Sequence, residues 1–240
     1  MARPRPWTVV DHEPILRCEP NLWLADAALP GTALRRRMSV FRAGDGRLVF
    51  HNAVPLREED MRELERWGTP AFLVVPNRFH RLDLHAWKSR YPALRVLAPA
   101  PAARAVERVV PVDGDLGALP RDRALTVHPV AGWKLGEAVL EVRSGDRASL
   151  VVGDLLMNNP PVPGAHGLVL RLMGSTGGPK VTPLARLLGV GDARAVARSL
   201  RLLAALPGLS RLVPSHGTVV ESGAAEALRR AADALSPATP

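Results

Sequence analysis

Four short apolar runs, each cut off by a turn-forming residue, constrain this chain more than any other feature. They are AFLVV before Pro76, LRVL before the Pro99 region, ASLVV before Gly153 and SRLV before Pro214. AFLVV, wholly apolar, has the pattern of a strand covered on both faces, and the other three read as strands as well. Amphipathic stretches lie between them. REEDMRELERWG puts Met61, Leu64 and Trp67 on one helical face, and LHAWKSR, closed by Pro92, reads as a short helix. DARAVARSLRLLAAL aligns Ala195, Val196, Leu200, Leu203 and Leu206, and GAAEALRRAADAL is a last helix. NLWLAD, MSVFR, RLVFHNAV, ALTVHPV and AVLEVRS add further strands, and Asp45-Gly46 supplies a hairpin turn between two of them. Strands first, then helix–strand alternation, then more strands and a closing helix–strand–helix describe an α/β (α+β) chain. Its natural packing is two sheets face to face with helices outside.

With 240 residues, 47% of them apolar, the chain is long enough for a proper core, and we expect one domain over residues 1–240, with 1–14 and 234–240 as frayed tails. The Pro/Ala-rich stretch at 98–103 has the composition of a linker, and 158–183, rich in Pro and Gly, that of an ordered loop. No apolar run reaches the roughly 20 residues of a membrane span, so no membrane association is expected. The start lacks a secretory pattern and Cys18 is the single cysteine. No intrachain disulfide and no thiolate-rich zinc site can form, and a reducing cytoplasmic setting follows. The net charge of +9 is almost all arginine, because Lys88, Lys134 and Lys180 are the only lysines. Arginines spread over the whole chain, with aromatics at 4%, favour compositional drift over a nucleic-acid partner.

Chemistry is expected where apolar strands end, because rigid strands hold loops in register. Three loops qualify: PNRFHRLDLHAW with Asn77, His80, Asp83 and His85; Gly153-Asp154; and Ser215-His216-Gly217. Imidazole and carboxylate are ligands for zinc and similar divalent ions. His80, Asp154 and His216 are the candidate metal ligands, with His80 also a candidate general base. Asn77 is a candidate catalytic residue that donates to substrate or orients His80. Each has a plainer reading: a loop histidine bonded to a carbonyl for His80, a turn cap for Asp154, a packing histidine for His216. Asp83 suits the N-cap of the LHAWKSR helix, and His85 and His166 suit exposed positions. GSTGGPK lacks the spacing of a phosphate loop.

The order strand–loop histidine, strand–Gly-Asp and strand–Ser-His-Gly resembles the metallo-β-lactamase superfamily over roughly 22–220. FLVVPNRFHRLDLHAWKSRYPALRVLAP is similar to an uncharacterised branch of it through Pro76, Asn77, His80, Trp87, Lys88, Tyr91 and Pro92. The resemblance implies a four-layer αββα sandwich and a metal-dependent hydrolase acting on an ester, thioester, amide or phosphoester. It implies one divalent metal (zinc, manganese or iron), because the superfamily's first His-x-His-x-Asp-His motif is not matched: registered on His80, only His80 and His85 agree. GWKLG puts Trp133 where a ligand histidine is usual, and an indole there would fill the old cavity. The alternative is a chain that kept the fold, binds no metal and acts by binding or assembly, or a basic nucleic-acid-binding member. Substrate and oligomeric state have no signature in the sequence.

Overall fold

Alternation along β2 (Leu22–Ala28), β3 (Arg35–Arg42), β4 (Arg47–His51) and β5 (Thr69–Val74) sends Trp23, Val40, Phe50 and Leu73 to one face of a sheet. The intervening Leu24, Phe41, Val49 and Phe72 are buried too. This is a computed structural model; it describes residues 5–172 and 174–237, except the side chains of Ala165 and His166, so the expectation for His166 lies outside the described residues. The chain divides into two compact units, Met1–Leu125 and Thr126–Pro240.

The first unit is built on a six-stranded sheet in the order β1-β2-β3-β4-β5-β6, where β1 is Leu16–Glu19 and β6 is Arg95–Leu97. Its first four strands are antiparallel neighbours and β4-β5-β6 run parallel. The β3–β4 hairpin turns at Gly46, whose φ of +85° answers the Asp-Gly signal. Helix α1 (Glu58–Trp67) buries Met61 and Leu64, and its Trp67 stacks on Trp23 at 3.9 Å between ring centres. Helix α2 (Leu84–Arg90) buries Trp87, which packs at 4.7 Å against Phe50. The stretch with a linker's composition carries helix α3 (Ala100–Val106). Its proline sits in the first turn, where a missing N–H costs nothing, and alanine is the best helix former.

Residues 5–14 are not frayed. Trp7 donates its indole N–H to the Leu56 carbonyl at 3.1 Å, and the buried His12 bridges to Ala27. At the other end Ser236 still bonds back to Ala232 at 2.9 Å. Residues 1–4 and 238–240 lie outside the described residues.

In the second unit a four-stranded sheet runs β10-β9-β8-β7, with β7 (Leu125–Pro129), β8 (Ala138–Ser144), β9 (Arg147–Val152) and β10 (Leu209–Pro214). β8 and β9 form a hairpin, and β10 joins β9 in parallel after a helical crossover. The Pro/Gly-rich segment 158–183, expected to include an ordered loop, also contains helix α4 (Gly164–Leu172). A second unanticipated helix, α5 (Pro183–Gly189), has proline in its first turn and the Thr182 hydroxyl accepting from the Ala185 N–H at 3.2 Å. Helices α6 (Ala193–Ala204) and α7 (Ala224–Leu235) match the two amphipathic stretches. They bury Val196, Leu200, Leu203 and Leu228 against Leu150, Val152 and Leu212.

Candidate functional site

In the first unit the chain leaves β5 at Val74 and turns sharply, because the Asn77 side-chain oxygen accepts from the Phe79 N–H at 2.8 Å and its carbonyl from the His80 N–H at 3.2 Å. That Asx-type turn, with Asn77 fully buried, presents His80 while Phe79 and Leu82 remain exposed. The His80 ring is held from the sheet: Nδ1 lies 2.7 Å from the side-chain oxygen of Asn52. Asn52 directly follows β4 with a φ of +59°, donates from Nδ2 to the Arg37 carbonyl at 2.8 Å, and donates its backbone N–H to the Val74 carbonyl at 3.1 Å. Asn77 therefore shapes the backbone that carries His80, and Asn52 holds the ring.

Asp83 occupies the N-cap position of α2 but makes no capping bond. Its buried carboxylate instead meets the buried Arg36 guanidinium at 2.6 Å, with Arg5 at 3.9 Å. An ion pair outcompetes the cap because a buried arginine requires a counter-charge. Arg35 and Arg37 face Asp11 and Asp26, so this RRR run consists of paired side chains. His85 is half-buried on α2, less exposed than its helix-surface reading implied.

In the second unit, parallel β9 and β10 end side by side. Ser215 continues their ladder, its N–H donating to the Val152 carbonyl at 2.9 Å and its hydroxyl to the same oxygen at 3.2 Å. Asp154 and His216 thus follow adjacent strand ends, and His216 Nε2 lies 3.4 Å from Asp154 Oδ1. Gly217 has a φ of +89°, and a Cβ there would meet the Asn158 backbone at 2.1 Å. That close approach lets Asn158 donate its N–H to the His216 carbonyl at 3.1 Å. Asp154 stands in a turn with Leu155, where the sequence reading set a turn against a ligand position. Buried Glu137 accepts from the Leu155 N–H at 3.0 Å, steadying the backbone beside Asp154.

Two sequence candidates are absorbed into structure. Trp133 is buried in the apolar core of the second unit, its ring over Gly189. Lys180 of GSTGGPK donates to the Thr176 carbonyl at 2.7 Å, within its own loop. His128 meets Glu141 at 2.6 Å. Sequence reading missed Asn52 and Glu137. The only local signal for Asn52 is an asparagine just past a strand, the residue type that tolerates positive φ; for Glu137 there is none.

Among the described residues, the two mixed sheets and the seven helices define the class: the chain has the metallo-β-lactamase fold expected from the sequence. It is similar to the solved structure of TMB-1, with a TM-score of 0.63 and 14% identity over 95% of this chain and 100% of that one. It is also similar to the DIM-1 metallo-β-lactamase, at 0.62 and 11% over 95% and 100%. The metallo-β-lactamase from Pontibacter korlensis gives 0.60 and 13% over 93% and 99%. No family model and no curated protein sequence matches the chain. Among the described residues no helix is long and apolar enough to cross a membrane.

Proposed function

We propose that the chain is a metal-dependent hydrolase of the metallo-β-lactamase type, holding one divalent cation through His80, Asp154 and His216. The observation that carries this reading is the pair in the second unit, where His216 Nε2 lies 3.4 Å from Asp154 Oδ1 just past the ends of adjacent parallel strands; His80, likewise just past a strand end in the first unit, is the third candidate ligand. Two imidazoles and one carboxylate suit zinc, manganese or iron(II) and resemble the three-ligand sets of catalytic centres that keep a position open. A single cation, rather than two, is supported by the fates of the other candidates. Asp83 is committed to Arg36, Trp133 to an apolar core, and Leu82 and Leu84 offer no donor. The likeness to the solved lactamases spans both units, which supports treating residues 1–240 as one functional domain.

A cation bound there would lower the pKa of water and polarise an acyl or phosphoryl oxygen. The protein's own groups supply the rest. Asn77 and Asn52 fix the loop and ring of His80, and Ser215, Asn158 and Glu137 fix the strand ends that carry His216 and Asp154. A general-base role for His80 is the alternative to its holding the cation. An ester, thioester, amide or phosphoester is the substrate class, and Cys18 as lone cysteine supports a cytoplasmic setting.

The test is elemental analysis of protein purified without chelators, with hydrolysis assays on model compounds of those four classes. The reading expects a stoichiometric transition metal, and activity that falls with His80→Ala, Asp154→Ala and His216→Ala alike. Metal-free protein that gains no thermal stability from zinc, manganese or iron(II) would favour the non-catalytic alternative.

A further inference from the structure

We infer that Asn52 is a positioning residue that fixes the tautomer of His80, leaving the lone pair on Nε2; the inference rests on the reading of His80 as a cation ligand. An asparagine amide has one donating and one accepting end, and at Asn52 both ends are assigned by their surroundings. Nδ2 faces the Arg37 carbonyl at 2.8 Å, an acceptor and nothing else, so this end must be the NH2. The opposite end, 2.7 Å from His80 Nδ1, is then the carbonyl oxygen, which can only accept. His80 Nδ1 therefore carries the proton. In the neutral ring Nε2 bears the lone pair a cation takes up. Flipping the amide would set two carbonyl oxygens against each other at a residue only 6% exposed, where water gives little relief.

The backbone agrees with this role. Asn52 sits at a φ of +59°, a conformation that asparagine adopts more readily than most side chains, and its own N–H is tied to Val74. The amide is thus fixed to β3 by its side chain and to β5 by its backbone. It sets the heading of the His80 ring as well as its protonation.

The test uses full-length protein with 15N-labelled histidine, metal-free and near pH 8, read by long-range proton–nitrogen correlation. Wild type is expected to show His80 as the Nδ1–H tautomer. Asn52→Ala should give a mixture of tautomers or the Nε2–H form, and weaken zinc binding by about 10–100-fold, as loss of such outer partners does. A thermal melt and a backbone amide spectrum matching wild type guard against a fold defect in the alanine variant. An Nε2–H His80 in wild type, or an unchanged tautomer in folded Asn52→Ala, overturns the inference. An Nδ1–H His80 in wild-type protein that binds no zinc, manganese or iron(II) supports the tautomer assignment and overturns the cation-holding role alone.

Discussion

Around His80 the holding atoms belong to side chains: the amides of Asn52 and Asn77, and beside them the buried Arg36–Asp83 pair under the start of α2. Around Asp154 and His216 they belong mainly to the backbone: the parallel β9–β10 ladder, the Ser215 and Asn158 N–H groups, and a glycine that lets two chains touch. The difference teaches where each loop is vulnerable. A backbone-held loop fails when its geometry is obstructed. A loop held by side chains fails when a polar group loses its partner, and in a buried setting that loss is the costlier event.

The largest effect is expected at Asp83. Asp83→Leu strands the Arg36 guanidinium, which is 5% exposed, without its carboxylate. Urea denaturation should show a loss of about 3–5 kcal/mol, the usual cost of orphaning a buried charge. The double variant Arg36→Met/Asp83→Leu should recover most of it. A single variant within about 1 kcal/mol of wild type would mean that the pair is worth no more than a surface bridge.

Gly217→Ala comes next and probes the backbone-held loop. Its φ of +89° and the 2.1 Å approach to Asn158 leave a methyl group nowhere to go. A loss of about 1–3 kcal/mol is expected, accompanied by weakened zinc binding as His216 shifts. Unchanged stability and binding would show that this loop has more freedom than the comparison allows.

The smallest effect belongs to the surface of the first unit, where Glu58 of α1 makes two hydrogen bonds to Arg90 of α2 at 2.7 and 3.0 Å. Its hydrogen bond to Arg90 is the chief cause holding the Glu58 carboxyl below the usual glutamate range. A depressed folded-state pKa contributes stability above the unfolded value and loses it as pH falls through the folded one. The small advantage of wild type over Glu58→Gln should therefore be full near neutrality and vanish in acid below the ordinary glutamate range. An advantage that persisted or grew in acid would reverse that sign.

The same comparison explains what the sequence made legible. Gly153-Asp154 and Ser215-His216-Gly217 were readable because an apolar strand, a polar end and a glycine leave marks within a few residues of each other. His80 was readable as a strand-end histidine, but its partner Asn52 lies 28 residues away and the pairing has no local pattern. Asp83 was misread for the same reason. An aspartate before a helix is the signature of a cap, and only the fold brings a buried arginine from β3 against it. Helices α3 and α5 were hidden by prolines that break helices in their interiors but open them in their first turns. The strands and the fold class, carried by periodicity and by resemblance, were legible from the sequence.

The central claim is that His80, Asp154 and His216, drawn from distant segments, together retain a single cation. Native mass spectrometry of the chain reconstituted with zinc counts ions per polypeptide directly. The account predicts one retained ion in wild type and none in His216→Ala; two ions per chain, or none in wild type, would contradict it.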